Sequence, residues 1–256
     1  MPFEINKLTY YGPANLIGTV FLVVFLIIGF KKYAKSDDYY TKIKPIKFVF
    51  WFLLILEIAK IIAHIAKNGT WNPKAFPIIY CSIAMYVYAI ISYGKKDSLP
   101  VRMAFFNSVI PFVVIGALYW VSFPTIDWSL VTRYGYIMNL HSRLYHFCNL
   151  AVAFYIIGTK LYTFEFKDWL PAAIVNASYF VMATILSLFI GGEISNFGPE
   201  SAELKNIFYA HTGYATGNLI LALLCFALSF LLFLTINGIR NSSRKKKQFK
   251  KLSNNS

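Results

Sequence analysis

Seven apolar runs of about 20 residues each restrict this chain to one class of fold. A run of that length lets a helix cross the hydrocarbon core of a bilayer, because each helical residue advances about 1.5 Å. In lipid only helices and closed barrels satisfy their own backbone groups, and these runs are too long and continuous for barrel strands. The runs are Ala14–Phe30, Phe48–Ala66, Phe76–Tyr93, Met103–Val121, Ile137–Ile157, Leu170–Ile190 and Leu219–Ile236. We therefore predict an all-α, polytopic membrane bundle of seven transmembrane helices.

Composition agrees with this class and excludes several others. The chain is 57% hydrophobic and only 14% charged, whereas a soluble domain has about 45–50% apolar and about 25% charged residues. An ordinary soluble enzyme, a disordered protein and a coiled coil are thereby excluded. Metal-binding spacings and Gly-rich phosphate loops are absent from the sequence, so we predict no metal site and no cofactor.

Basic residues set the expected orientation and partners. With the N-terminus outside, the cytoplasmic segments hold 18 Lys and Arg and the outer segments hold 5, which is the asymmetry that the positive-inside rule requires. We therefore predict one transmembrane domain over residues 1–239 and a basic cytoplasmic tail over 240–256, in a multi-pass plasma-membrane protein. The net charge of +14 indicates contact with anionic lipid headgroups rather than nucleic acid. Membrane lipids are the expected partners, and the oligomeric state stays open.

Ionisable residues inside the second run are the first candidate site residues, since such groups are costly within a membrane. Glu57, Lys60 and His64 lie within about 60° of one another around a helix that otherwise consists of apolar residues. Glu57 and Lys60 are three residues apart, so they can neutralise each other as a structural ion pair. The alternative is that this stripe faces a functional cavity.

The fifth run carries a second polar set. Arg143, His146 and Asn149 share one helix face, and His141 lies on another. Arg143 either binds an anionic group such as a phosphate or pairs with Glu57. At about 1.5 Å per residue, Glu57 and His146 lie roughly 13–14 Å from the outer end of their runs, and His141 and Arg143 roughly 6–9 Å.

All four histidines of the chain, which include His211, thus fall in the outer half of the membrane. We predict a polar cavity that opens outward, with Glu57, Arg143 and His146 pointing into shared space; four unrelated interfacial histidines are the alternative.

Cys81 is the candidate nucleophile. It follows Pro77 near the expected outer face and lies roughly 8 Å deep by the same rise per residue. A buried cysteine is usually a small apolar side chain, but it becomes a nucleophile where a histidine or a cation stabilises its thiolate. The spacing alone is compatible with Cys81 as a small apolar side chain and with Cys81 as a nucleophile.

The segment Glu57…Trp71…Phe76-Pro77-Ile78-Ile79-Tyr80-Cys81-Ser82-Ile83 resembles the YwaF-like family of integral membrane proteins. Members show an acidic residue in the second helix, a Trp, and then a Leu-Pro-Leu-His-Leu-Cys stretch. Leu144-Tyr145-His146-Phe147 is similar to an aromatic-rich, His-containing segment of that family. In this chain Ile79 or Tyr80 stands where the family has the His before the Cys.

That family is similar to the eukaryotic transmembrane protein 164, a membrane acyltransferase with a cysteine acyl intermediate and a histidine. The resemblance implies that Cys81 is the nucleophile and His146 its base. His141 is a rival base, because its estimated depth is closer to that of Cys81.

Three functional hypotheses follow. The first is a Cys/His lipid acyltransferase or lipid hydrolase, in which Arg143 holds a headgroup phosphate and Glu57, His64 and Asn149 line the substrate site. The alternative is a small-solute transporter or a substrate-binding membrane subunit, with Glu57, Lys60 and Arg143 as ligands. The third is a lipid-binding or assembly protein without catalysis.

Overall fold

A computed structural model describes residues 12–70, 82–109 and 133–190, and individual residues of the last apolar run (216, 219–220, 223, 226–227, 230–231 and 233–238). No described residue lies in a β-strand, so the predicted all-α class is confirmed for this part of the chain. The helices are α1 Gly12–Ile28, α2 Tyr39–Lys42, α3 Lys44–Asn68, α4 Ile83–Tyr93, α5 over 99–109, α6 Arg133–Thr159 and α7 Phe166–Ile190. The described residues between 216 and 238 are also helical and form α8.

The connection between α1 and α3 is short and tightly ordered by local hydrogen bonds. α1 continues directly into a π-helical turn, Gly29–Tyr33. The Asp38 carboxylate then caps α2, accepting hydrogen bonds from the backbone N–H groups of Tyr40 at 3.3 Å and Thr41 at 2.7 Å. Pro45 stands in the first turn of α3, where its missing N–H is not needed by the helix.

The distribution of polar and apolar side chains on α3 is reversed relative to a soluble protein. Glu57 and Lys60 are buried, at 1% and 7% exposure, whereas Ile55 and Ile62 on the same helix are 63% and 60% exposed. α1 and α7 likewise turn large apolar side chains outward. Extended apolar surface of this kind is unfavourable in water and favourable against acyl chains.

Two described helical stretches, Leu16–Tyr33 and Tyr39–Asn68, are both long and apolar enough to cross a membrane. Ile83–Tyr93 and Leu144–Thr159 are apolar but shorter. The first two predicted spans therefore fit by length and composition. The total of seven spans and the sidedness of the termini stay predictions.

α6 is the central helix among those described, because α1 and α3 both pack against it and α4 packs against α3. α3 and α6 run antiparallel. Glu57, in the middle of α3, faces His141 in the first half of α6. Tyr155, near the end of α6, donates a hydrogen bond of 2.8 Å to the carbonyl of Lys42, just before α3 begins. α4 runs parallel to α6, with the pairs Ser82–Tyr145 and Tyr88–Asn149 in order along the two helices.

Two glycines allow α1 and α6 to approach closely. A Cβ atom at Gly18 of α1 would overlap the ring of Phe147 on α6, and one at Gly158 of α6 would overlap the ring of Phe30. Each helix thus inserts one aromatic ring against a glycine of the other, a form of the small-residue packing common between membrane helices. Gly18 pairs with Phe147, and the later residue Phe30 pairs with the later residue Gly158. The two helices therefore run parallel.

Candidate functional site

A buried carboxylate on α3 organises a polar cluster between α3, α4 and α6. Glu57 forms an ion pair with Lys60, one helical turn further along α3. Its Oε1 atom accepts a hydrogen bond of 2.9 Å from the Ser82 hydroxyl, just before α4 begins. The Nε2 atom of His141, on α6, lies 3.5 Å from the same oxygen, an ion-pair separation that is too long for a strong hydrogen bond.

Ser82 connects the carboxylate to a second residue of α6. Its backbone carbonyl accepts a hydrogen bond of 3.2 Å from the Tyr145 hydroxyl. The ring of Tyr145 lies 5.5 Å from that of His141, one turn away on the same helix. The chain at Ser82 is therefore held from both sides, by Glu57 through the side chain and by Tyr145 through the backbone.

Charge within the cluster is closely balanced. The Glu57 carboxylate and the Lys60 ammonium together carry no net charge, and both are almost completely buried. An unpaired charge at this depth would be strongly destabilising. The pair therefore makes an ionised carboxylate possible inside an apolar bundle, and that carboxylate faces the imidazole of His141.

Further along α6, Asn149 extends the polar contacts toward α4. Its Oδ1 atom accepts a hydrogen bond of 3.1 Å from the buried Tyr88 hydroxyl. Its Nδ2 atom is buried and makes no hydrogen bond to any residue that the structure describes. A buried donor of this kind can bind an acceptor atom of a ligand or an ordered water.

An apolar cavity of about 310 Å³ adjoins α4, α5 and α7. Ile83, the residue after Ser82, is part of its wall, and Asn107 and Asn176 supply polar atoms. These two asparagines are joined by a hydrogen bond of 2.7 Å between Nδ2 of Asn176 and Oδ1 of Asn107. The cavity thus begins beside the polar cluster and is lined mainly by apolar side chains.

The structure brings together only some of the residues predicted for the site. Glu57 and His141 face each other, and His146 and Asn149 are buried on α6. His64 is partly exposed near the end of α3, with its Nδ1 atom 3.5 Å from Nδ2 of Asn68.

Three other predicted positions cannot be placed. Cys81, His211 and the side chain of Arg143 lie outside the described residues. Glu57 and His146 are both buried, while the shared cavity, the inward direction of Arg143 and the distance from the Cys81 sulfur to a histidine stay predictions.

The register between helices differs from the estimate made from apolar runs. That estimate placed Glu57 level with His146, yet Glu57 meets His141. One contribution is that α6 begins at Arg133, four residues before the apolar run at Ile137, so His141 lies further from the helix end than hydropathy indicates. α3 also extends past its apolar run, to Asn68, so the positions of the helix ends alone do not give this register.

Sequence reasoning missed Ser82, Tyr145 and Tyr88, whose hydroxyl groups make the contacts that join the three helices. The only available signal was the position of Ser82 beside Cys81. The chain contains 18 tyrosines, several of them within apolar runs, so the two that donate hydrogen bonds to this cluster could not be singled out.

A second polar cluster lies at the opposite end of the bundle. Asp168, near the start of α7, is buried and accepts a hydrogen bond of 3.0 Å from Nε of Arg102. The Tyr162 hydroxyl donates to its other oxygen. Burial and the hydrogen bond to this carboxylate both raise the pKa of Tyr162 above its ordinary value. The Asp168 carboxylate is thus hydrogen-bonded by both the guanidinium and the hydroxyl, which is typical of a cluster that stabilises the fold.

No group of three or more His, Cys, Asp and Glu side chains suited to a metal ion occurs within residues 12–70, 82–109 and 133–190 or the described part of α8.

The comparison with protein-family models gives one match that covers most of the chain. A model described as "TMEM164 family" matches residues 10–236. Neither a curated protein nor a solved structure matches the chain significantly. The match agrees with the apolar outer surfaces of α1 and α3 and identifies a membrane protein.

Proposed function

The chain belongs to the TMEM164 family, and from that premise we propose that it is an intramembrane lipid acyltransferase or lipid hydrolase with Cys81 as its nucleophile. One observation carries the proposal. Ser82, which directly follows Cys81, donates a hydrogen bond to the Glu57 carboxylate, and the same carboxylate faces His141. A nucleophile, a base and a group that orients the base are the three parts that nucleophilic catalysis requires.

His141 is the base in this proposal. Glu57 faces its Nε2 atom, so Nδ1 is the nitrogen that remains to accept the thiol proton. Lys60 keeps the carboxylate ionised by pairing with it, and Tyr145 holds the backbone of Ser82 in place. His146, one turn further along α6, is the rival base, and the contacts of Glu57 favour His141.

The proposed reaction has two steps. In the first, the Cys81 sulfur bonds to the acyl carbonyl carbon, the ester C–O bond of a donor lipid breaks, and His141 passes the thiol proton to the departing oxygen. In the second, the hydroxyl oxygen of an acceptor lipid bonds to the thioester carbonyl carbon, the C–S bond breaks, and the hydroxyl proton passes through His141 to the departing sulfur. Water takes the place of that hydroxyl in a hydrolase.

Several features near the cluster support a lipid substrate. The apolar cavity of about 310 Å³ beside Ile83 offers room for part of an acyl chain. The unmatched Nδ2 donor of Asn149 offers a hydrogen bond to an ester or headgroup oxygen. We assign Arg143 to the headgroup phosphate and His64 to the outer edge of the site.

We place this site in a multi-pass plasma-membrane protein, within a single helical domain over residues 1–239. The cavity opens outward, and the basic tail over 240–256 lies in the cytoplasm. The antiparallel packing of α3 against α6 and the parallel packing of α4 against α6 fit helices that cross the membrane in alternating directions.

The test is detection of an acyl–enzyme. The purified protein in phospholipid nanodiscs is digested, and the mass of the peptide that contains Cys81 is measured by mass spectrometry. We expect an added acyl mass that neutral hydroxylamine removes, and none in Cys81→Ser. His141→Asn should lower the acylation rate by about 10²–10⁴-fold, the usual contribution of a general base. Cys225→Ser, which changes another cysteine, is the matched control and should retain acylation.

Two results would contradict the proposal. If Cys81→Ser retains full activity while Glu57→Gln abolishes the binding of a solute, the chain is a transporter or binding subunit. If His146→Asn stops acylation and His141→Asn does not, the assignment of the base is wrong.

A further inference from the structure

A groove of about 320 Å³ lies between α1 and the first turns of α3, at the end of the bundle opposite His64. Its walls are apolar and include Val24, Ile28 and Phe48. Tyr33, at the end of the π-helical turn, and Lys44, at the start of α3, also line it. The groove thus has apolar walls and a cationic residue at one end.

The packing of α1 and α3 explains why this space is open. α1 packs mainly on α6, and α3 packs on α4 and α6 rather than on α1. The two helices also contact each other through stacked rings. The ring centroid of Phe21, in the wall of the groove, lies 5.2 Å from that of Phe52. On one side of that contact the groove is bordered by the first turn of α3 and by the π-helical turn. Turns of this type occur frequently at functional sites.

The segment that borders one end of the groove is rich in lysine. Six Lys and only two Asp lie within residues 31–47. Lys44 is exposed and lines the groove, and the Lys32 ammonium lies 5.5 Å from the centre of the Tyr33 ring. One of the two acids, Asp38, uses its carboxylate to cap α2. The segment beside this end of the groove therefore carries a net positive charge.

We propose that this groove binds an anionic glycerophospholipid, with one acyl chain between α1 and α3 and the phosphate beside Lys44. The apolar walls match an acyl chain, and the cationic end matches a headgroup that carries a net negative charge. A zwitterionic lipid offers the same chain but less charge attraction. A soluble anion offers the charge without the chain.

The site is separate from the Cys81 site and does not depend on the function proposed above. Lys44 and Glu57 lie on the same helix, about 20 Å apart at 1.5 Å per residue. The groove also opens at the other end of α3 from His64. An anionic lipid here is a bound component of the protein rather than its acyl donor.

Photo-crosslinking in nanodiscs tests the proposal. The probe is phosphatidylglycerol with a diazirine in one acyl chain, and phosphatidylcholine with the same chain is the reference lipid. We expect phosphatidylglycerol to label peptides that contain Val24, Ile28 or Phe48, and phosphatidylcholine to label them less. Lys44→Gln should lower the phosphatidylglycerol labelling about fivefold, the equivalent of roughly 1 kcal/mol for one lysine at a membrane surface.

Matched variants separate the groove from general lipid contact. Val24→Trp fills the groove and should reduce labelling to the level of phosphatidylcholine, whereas Val181→Trp, at an exposed apolar position of α7, should leave it unchanged. Lys167→Gln removes an exposed lysine outside the groove and should have no effect. All four substitutions are at exposed positions, so the fold is retained.

Three outcomes would overturn the proposal: equal labelling by both lipids, labelling that Lys44→Gln and Val24→Trp leave unchanged, or crosslinks to a second copy of the chain at these peptides.

Discussion

Replacing Glu57 by Gln should show how much the stability of the protein depends on the buried Glu57–Lys60 ion pair. The side chain of Gln has the same shape and still accepts the hydrogen bond from Ser82, but the Lys60 ammonium then stays buried at 7% exposure without its counter-charge. Loss of one partner from a buried pair costs about 3–5 kcal/mol. In a chain of this size that corresponds to a drop of roughly 6–20 °C in melting temperature.

The double variant Glu57→Gln/Lys60→Met is the informative comparison. It removes both charges, and the long apolar Met fills the space of the lysine stem. Since a buried pair replaced by neutral groups is often close to neutral in stability, we expect the double variant to regain most of the loss. The surface pair Glu165–Lys167 is the control, because its side chains are 49% and 66% exposed and an exposed pair contributes only about 0–1 kcal/mol.

Thermal unfolding in detergent, followed by tryptophan fluorescence, measures these differences. The reasoning is refuted if Glu57→Gln melts within about 2 °C of the parent, which corresponds to less than about 1 kcal/mol. It is also refuted if the double variant is as unstable as the sum of the two single changes, because the pair would then have no coupling energy.

Three further predictions rest on other parts of the molecule. Gly18→Ala should destabilise the fold by about 1–3 kcal/mol, because the added Cβ overlaps the buried Phe147 ring. The control, Gly238→Ala, meets no described atom and should leave the stability unchanged. Equal melting temperatures of the two variants would contradict this. Hydrogen bonds from Thr41 lower the pKa of Asp38 below its ordinary value of 3.8, so its capping contribution is present above that pH and is lost as the pH falls through the lowered pKa. The amide shift of Thr41 should accordingly titrate with a midpoint below 3.8, and should not titrate in Asp38→Asn. A reporter fused after Ser256 should be cytoplasmic and one before Pro2 should be outside; both on one side would require an even number of spans.

The fold was predictable to the extent that it depends on hydropathy. Each apolar run whose residues are described coincides with a helix, because a chain in lipid must satisfy its backbone groups internally. The helix ends were less predictable. α7 begins at Phe166 rather than Leu170, and α6 at Arg133 rather than Ile137, since polar residues continue a helix beyond its apolar part.

The candidate site was predictable only where it is local. The i, i+3 spacing of Glu57 and Lys60 indicated the ion pair that the structure contains. The partner on α6 could not be derived, because the choice between His141 and His146 depends on the register of two helices. Ser82 and Tyr145 contribute through hydroxyl groups at single positions, which leave no periodic signal in the sequence.

The pairing of α1 with α6 also affects how the protein is made. α1 ends at Ile28, and α6 begins only at Arg133, so at about 5–20 residues per second the ribosome needs roughly 5–20 s to supply the partner. During that interval Gly18 has no ring against it and Phe30 has no glycine to meet. The α1–α6 contact can therefore form only after α6 has been synthesised, although α3, which contacts α1 through Phe21 and Phe52, is made earlier. A nascent chain interrupted before residue 133 would expose this unfilled surface to the quality-control machinery of the membrane.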